Sequence, residues 1–586
     1  MYNNSQHTFR THDQTELFYQ HWESFSQKNS PNTNKKAIIL FHRGHEHSDR
    51  MAHLVDELKL TDFDFFAWDA RGHGDSPGAR GDAPSFAACV KDIQYFLQHI
   101  QHQYNIDENN IAIIGQSVGA VLSATWVHDY APKIRALCLA SPAFDIKLYV
   151  PFAEPGLRVL NHIKGNFFIQ SYVKSSMLTH DKERAQTYDT DPKIARSISV
   201  RMLLGLYDAS KRIVADAQNI FVPTQILCSG SDFVVQQKPQ RDFYDKLPHP
   251  QKEFHVLDGF YHDTLGEKNR AVAIDKIKRF ITQCFASPYQ APDLLHADKI
   301  GSSCAIAETL SAPLPHKSAK YLFWQITKKN LKIGSLLSKG LKIGEDTGYD
   351  SGSTLDFVYR NQTESQNPIG KIIDRQYLNA IGWRGIRIRK ENIEQLFQKY
   401  AKALIENNQP IRILDIASGH GRYILDAVQQ LPQLPNSVLL RDYSEINVKA
   451  GQQMIQERGL EHIAQFVQAD AFDTQSIASI GPRPTLGVVS GLYELFSDND
   501  LLRRSLNGLS QAIEKNGYLI YTGQIWHPQQ EFIARALTSH REGDAWVMRL
   551  RSQAEMDALV EAAGFKKVDQ NIDDFGIFTV SVAQKL

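Results

Sequence analysis

The chain has 586 residues, several times the length of one ordinary domain, which excludes a single small binding module. Hydrophobic residues make up 42% and charged residues 22%, excluding a disordered chain; 65 basic residues balance 65 acidic ones, so no global positive field exists and no nucleic-acid partner is expected. The five cysteines include no C-x-x-C pair, the N-terminus lacks the apolar run of a signal peptide, and no stretch of about 18 apolar residues marks a membrane span. A cytoplasmic setting fits these features best.

Residues 1–286 alternate short apolar runs (AIILFH, FDFFAWD, NIAIIGQS, ALCLASP, TQILCSGS, EFHVLDG) with longer helical stretches, the pattern of strands joined by crossover helices. At about residues 145–222 the alternation gives way to a mainly helical insert that can form a lid. Residues 287–375 turn to Pro, Ser and Ala (SPYQAPD, SAPLPHKSA) and read as a linker. Within it, Lys317–Lys342 sets seven lysines and no acidic residue beside Leu322, Phe323, Trp324 and Ile326. Such a segment suits peripheral contact with an anionic membrane, on the inner face for a cytoplasmic protein, or a linker helix packed on a domain with its lysines in water. Another basic stretch, with Arg375, Arg384, Arg387, Arg389 and Lys390, reads either as a phosphate-binding element or as a solvated flank.

From residue 376 to 586 a second unit is predicted. It opens on an amphipathic helix with Ile393, Leu396, Phe397, Tyr400, Leu404 and Ile405 on one face. The strand-like runs IRILDIAS, SVLLRD, QFVQAD, LGVVSG and YLIYTG follow, and the chain ends in a hairpin, FKKVDQNI with FGIFTVSVAQ. Both halves are therefore expected to be α/β, each with a doubly wound sheet.

In the first half, IAIIGQSVG is a buried strand running into G-x-S-x-G and a helix start, which places Ser117 on a sharp turn flanked by Gly115 and Gly119. A serine needs a base and an orienting acid, and these follow in chain order as Asp232, after the strand ILCS, and His262, after HVLDG. Backbone N–H groups near Gly44 and of Val118 are the expected oxyanion donors. His42, His45, His47 and His73 have no spaced carboxylates beside them and read as structural, so no metal is expected. Taken with FHRGHEHSDR, WDARGHGDSPG, the 173–201 insert, GSDFVV and GFYHDT, these motifs make the first half resemble the monoglyceride lipase and lysophospholipase branch of the α/β-hydrolase fold. The resemblance implies a helical lid, with Ser117 as nucleophile, His262 as base and Asp232 as its partner. It also implies hydrolysis of a lipid-like carboxylic ester of the monoacylglycerol or lysophospholipid type. Arg43 stands where that family usually has Gly.

In the second half, ILDIASGHGRY places Asp415 and then the small residues Ala417, Gly419 and Gly421 between a strand and a helix. Asp442 ends the second strand, where a carboxylate can accept ribose hydroxyls, and Asp470 and Ala471 follow the third. A nicotinamide dinucleotide would use a second-strand acid similarly, but the D-x-A-x-G-x-G turn and the terminal hairpin count against it. Residues 377–586 resemble class I S-adenosylmethionine-dependent methyltransferases, with a Rossmann-like fold. This implies S-adenosyl-L-methionine as cofactor, held by Asp415, Ala417, Gly419, Gly421, Asp442, Asp470, Ala471 and Ser490, with Ala417 in place of the usual first Gly. Tyr493, Glu494 and His527 follow the fourth and fifth strands, where an acceptor would approach; each is a candidate base and equally ordinary packing. The order of the halves resembles bacterial fusions of a hydrolase with a methyltransferase. The alternative is that only one half is catalytic and the other regulates or scaffolds.

Overall fold

The structure, a computed structural model, describes residues 2–26, 35–541 and 543–586. The chain divides into two compact units, Met1–Pro292 and Asp293–Leu586.

The strands of the first unit are β1 (Tyr2–Arg10), β2 (Glu16–Ser24), β3 (Ala37–Phe41), β4 (Asp64–Trp68), β5 (Ile111–Gln116), β6 (Ala136–Ala140), a short pair β7 (Phe168–Gln170) and β8 (Ser197–Ser199), β9 (Thr224–Ser229) and β10 (Lys252–Leu257). Eight of them form one sheet in the order β1-β2-β4-β3-β5-β6-β9-β10, parallel from β4 onward. Every residue of β3, β5 and β6 is buried because helices cover both faces, among them α1 (Phe86–Tyr104), α2 (Val118–Tyr130) and α6 (Ala271–Ala286). This is the expected α/β-hydrolase fold. The antiparallel ribbon β1-β2 is an addition that the polar run YNNSQHTFR does not announce.

The insert contains α3 (Ala153–Lys164), α4 (Lys182–Thr190) and α5 (Val200–Ala215), and also the β7-β8 pair, so it is not wholly helical. No residue of α3 is buried; Phe152 just before it is 86% exposed, and Val159 and Ile163 also face outward.

The second unit carries β11 (Arg412–Ile416), β12 (Ser437–Asp442), β13 (Ala464–Gln468), β14 (Leu486–Val489), β15 (Tyr518–Gln524), β16 (Phe565–Ile572) and β17 (Phe578–Lys585). Their order is β13-β12-β11-β14-β15-β17-β16, with the last two strands antiparallel as a hairpin. The chain reverses direction across the sheet between β11 and β14, so a crevice opens at the carboxyl ends of those strands.

The segment read as a linker folds instead as part of this unit. After two short helices (Ala297–Ile300 and Ser302–Ser311) it forms α7 (Ala319–Ser335), α8 (Lys339–Thr347), α9 (Gly352–Arg360) and α10 (Pro368–Leu378). Of the residues that suggested a loose connection, Ser318 is a helix cap, and further polar residues along the segment do the same work. Ser318, Ser338, Ser351 and Asn367 each accept a backbone N–H of the first turn, and Pro368 occupies the first helical position. Leu341, Tyr349, Phe357, Val358 and Leu378 of this segment are buried in the core. On α7, Trp324 packs toward Phe532, while Leu322, Phe323, Ile326 and Ile333 are exposed.

The next helix, α11 (Ile381–Glu406), lays Ile393, Leu396, Phe397, Tyr400 and Leu404 on the sheet, with Ile405 half-buried beside them. Phe397 is wholly buried, and truncation there leaves a large void. Phe397→Ala is expected to lower stability by about 3–5 kcal/mol, read from the denaturant midpoint of the second unit's unfolding transition.

Candidate active sites

Ser117 lies between β5 and α2 at φ 55° and ψ −113°, a conformation costly for a residue with a side chain. The turn is held open to this strain by its glycines. A Cβ on Gly115 would sit 2.8 Å from the Gly119 carbonyl oxygen, and one on Gly119 would sit 2.4 Å from that of His42. The backbone is further pinned by Ser117 N–H donating to the Ala140 carbonyl at 2.9 Å.

Across from it, His262 Nε2 lies 2.8 Å from Ser117 Oγ, and His262 Nδ1 lies 2.8 Å from Asp232 Oδ2. The other Asp232 oxygen accepts the N–H groups of Val234 and Val235 at 2.7 and 3.0 Å. Burial pushes the Asp232 carboxyl up, but the His262 ring and these donors outweigh it and hold it below the usual range. A carboxylate at Nδ1 leaves the Nε2 lone pair toward the serine hydroxyl. The structure thus brings Ser117 into one hydrogen-bonded chain with His262 and Asp232, each more than a hundred residues further along.

Gly44 faces Val118 so closely that an added Cβ would sit 2.9 Å from Val118 Cγ2. Val118 opens α2, where backbone N–H groups have no intrahelical partner. Arg43 turns away from this junction. Its guanidinium is buried and donates to Glu46 Oε1 at 2.7 Å, with Nε 3.9 Å from Asp263 Oδ1. Asp263 in turn accepts Gln116 Nε2 at 2.9 Å and Arg184 Nε at 2.5 Å, and Glu46 also accepts Arg50 Nε at 3.0 Å. Sequence reasoning missed this buried network; the charged residues of the insert carried no recognisable spacing.

The histidines of the same loops have local partners. His42 Nδ1 meets the Arg43 carbonyl and its Nε2 accepts the Ala70 N–H, while burial lowers its pKa to about 4. His73 meets the Arg71 carbonyl and His47 meets Asp191, and burial takes His45 and His73 down to about 3. Among the described residues no group of three His, Cys, Asp or Glu side chains is placed to hold a metal ion.

In the second unit the turn after β11 has Ala417, Gly419 and Gly421 at φ 58°, 57° and 76°. Gly421 opens α12 (Arg422–Gln429) and packs inward, where a Cβ would meet Leu440 at 2.7 Å. Gly419 is the open point of the turn, its N–H donating to Asp442 Oδ2 at 2.8 Å. Asp442 Oδ1 accepts Ser444 N–H and Asn447 Nδ2 at 2.9 Å each. Asp470 is exposed at the end of β13, with Ala471 beside it, and Ser490 Oγ is buried after β14 without a hydrogen-bond partner.

Asp415 departs from expectation as a cofactor contact. It is fully buried, and both its oxygens receive Tyr423 Oη, at 2.8 and 2.7 Å. The tyrosine eight residues on, in α12, draws the carboxyl under the turn rather than into the crevice. Burial raises its pKa to about 8.

The sequence also did not show that α9 roofs this turn. Arg422 Nε donates to Asp356 Oδ1 at 2.5 Å, Ser353 Oγ lies 3.3 Å from His420 Nε2, and Gly352 Cα lies where a Cβ on Gly419 would meet it at 3.5 Å.

Beyond β14 and β15 a cavity of about 320 Å³ is enclosed by the capping helices, with Leu341, Tyr349, Trp383, Trp546 and Phe578 in its walls. Glu494 and His527 line it; Tyr493 does not, its hydroxyl bonding Ser505 Oγ at 3.0 Å. Arg389, read as phosphate-binding or solvated, is neither: it is buried at the cavity and donates to Glu494 Oε1 at 2.8 Å. Lys390 is likewise engaged, with Glu394 and Asp426.

The two folds define a fusion of an α/β hydrolase with a methyltransferase-family unit. The chain belongs to the family described as "Putative methyltransferase", whose model matches residues 277–585, and residues 32–269 match the family described as "Serine aminopeptidase, S33". It is 51% identical to the "Uncharacterized protein YnbC" of Escherichia coli K12 over 99% of this chain and 98% of that one. The first unit is 26% identical to the monoglyceride lipase of Rattus norvegicus (42% of this chain, 79% of the lipase) and 20% identical to the phospholipase YtpA of Bacillus subtilis (42% and 95%). No helix among the described residues is long and apolar enough to cross a membrane.

The buried Asp415 generates a pH dependence. Its carboxyl keeps a proton when folded up to about pH 8, whereas an unfolded aspartate loses it near 3.9. The native state binds more protons across that interval, so this contribution to stability is complete below about pH 4 and is lost as pH rises to about 8. Asp415→Asn, neutral at every pH, is expected to flatten the fall by up to about 1.4 kcal/mol per pH unit, measured by denaturant unfolding at several pH values.

Proposed function

We propose that the protein is bifunctional: a serine hydrolase of lipid-like carboxylic esters joined to an S-adenosylmethionine-dependent methyltransferase. The observation that carries the first half is the continuous chain from Ser117 Oγ through His262 to Asp232, on a strained turn. In this reading Ser117 Oγ attacks the ester carbonyl as His262 Nε2 takes its proton, and Asp232 stabilises the imidazolium. The N–H groups of Gly44 and Val118 receive the developing oxyanion. His262 returns the proton to the departing alcohol, and water then releases the acid from the acyl-enzyme by the same relay. The likeness to monoglyceride lipase and phospholipase supports an acyl ester as substrate, and so do the exposed Phe152, Val159 and Ile163 of the insert, which suit an acyl chain.

Ser117→Ala is expected to cut turnover of a monoacylglycerol by about 10³-fold or more, scored as released fatty acid. Turnover at the parent rate by the variant rejects the assignment.

For the second half, the residues suit an adenosine-bearing cofactor. Gly419 puts no side chain on the turn, the Ser490 hydroxyl lacks a partner, and Asp442 Oδ2, which accepts only the Gly419 N–H, keeps a lone pair for a ribose hydroxyl. Asp470, exposed after β13, and Ala471 beside it are assigned to the adenine in this reading. S-Adenosylmethionine supplies a methyl group made electrophilic by its sulfonium, and the protein's task is to orient it and exclude water. Calorimetry is expected to show saturable binding of S-adenosylmethionine by the parent protein and its loss in Asp442→Ala. Absence of binding to the parent rejects this cofactor.

A further inference from the structure

The cavity beside β14 and β15 is apolar in its walls and polar at the end formed by Arg389, Glu494 and His527. These polar groups are incompletely satisfied. Arg389 spends Nη1 on Glu494 and Nη2 on the Tyr359 hydroxyl at 3.4 Å, while its Nε–H has no partner. Glu494 Oε2 is likewise without a partner, as are Trp546 Nε1–H and the Tyr377 hydroxyl in the walls. His527 Nδ1 accepts the Gln529 N–H at 3.0 Å, which fixes the ring proton on Nε2, and burial keeps the ring neutral with a pKa near 4. Each unmet buried group is costly, and four converge on one cavity.

The unpartnered groups are two donors, Arg389 Nε–H and Trp546 Nε1–H, one acceptor, Glu494 Oε2, and the Tyr377 hydroxyl, which can serve as either; His527 turns its Nε2–H to the same cavity. A hydroxyl offers one donor and two lone pairs, the complement of one acceptor and two donors. A carboxylate offers acceptors alone and sets a second negative charge beside Glu494; an ammonium offers donors alone to a site already rich in N–H. An aliphatic alcohol is far too weak an acid for a carboxylate base, whereas a phenol, with a pKa of about 10, is within reach of proton transfer coupled to reaction. The walls agree with a flat ring: Trp383 and Trp546 stand 6.4 Å apart at 26°, and Tyr377 meets Trp383 edge to face at 5.5 Å.

We propose that this cavity binds an apolar phenol and that Glu494 is the base that takes its proton. The inference rests on the methyl-transfer reading for its chemistry but not for its ligand. The phenol oxygen forms a bond to the methyl carbon as the methyl–sulfur bond breaks; the sulfonium becomes a neutral thioether, the product is an aryl methyl ether, and the phenol proton ends on Glu494 Oε2. His527 and Arg389 position the oxygen.

The test uses the full-length protein and three probes of one shape, 4-hexylphenol, 4-hexylbenzoate and 4-hexylaniline. Calorimetry without cofactor is expected to show the phenol binding at least about tenfold tighter than the other two. Leu331→Trp, which fills the cavity from α7 without touching its polar end, is expected to abolish binding, and Glu494→Gln to weaken it about tenfold. With methyl-labelled S-adenosylmethionine the parent should form labelled 4-hexylanisole, and Glu494→Gln should lower kcat by about 10²–10⁴-fold with cofactor binding intact. Failure of the phenol to bind, equal binding of the benzoate or aniline, or label found in an ester or methylamine overturns the proposal. Phenol binding without any binding of S-adenosylmethionine supports the ligand class and rejects the cofactor reading instead.

Discussion

Asp263 follows His262 directly and has its carboxylate clamped by Arg184 of the insert and by Gln116, the residue before Ser117. One buried acid therefore ties together the ends of two strands and the segment that covers them. Arg43 and Glu46 extend the pairing into the loop that carries Gly44, and Arg50 completes it. Removing one partner of a pair buried this deeply costs about 3–5 kcal/mol, because the other charge is left uncompensated. The network thus acts on geometry more than on net stability, because few arrangements of these loops satisfy it. It also accounts for Arg43 in a position where a glycine would be ordinary: the side chain joins the buried acids and leaves the Gly44 backbone against Val118.

The second unit applies the same constraint once more. Arg389 on α11 and Glu494 after β14 are 105 positions apart and form a buried pair at the floor of the apolar cavity. The capping helices α8 to α10 close that cavity and also roof the glycine turn through Asp356 and Arg422. One stretch of chain outside the sheet thus supplies part of the cavity wall and the cover of the glycine turn.

Much of this was legible in the residue pattern. The strands buried on both faces are continuous apolar runs, so both sheets could be traced, and Ser117, Asp232 and His262 follow strand ends in the order the α/β-hydrolase topology sets. What was not legible has physical causes. Strand β1 is polar and lies at the sheet edge, where burial does not impose an apolar pattern. The helices of residues 297–378 were hidden because serine, asparagine and proline serve caps as readily as loops. Asp415 was taken for a ligand contact because position along the strand does not say which way a carboxyl turns, and Tyr423 decides that.

The order of chemistry-bearing residues along a strand-turn-helix pattern is local information, written within a few residues of each motif. The sequence by itself therefore determined two α/β units, the strained serine turn with its relay and the small-residue turn of the second sheet. Which insert and helix charges pair with the buried acids and which helices wall the apolar cavity depend on partners tens to more than a hundred residues away, while the Asp415 carboxyl is turned by a tyrosine eight residues on. Those matters were decided by the tertiary structure alone, because the desolvation of an ion is set by everything packed around it.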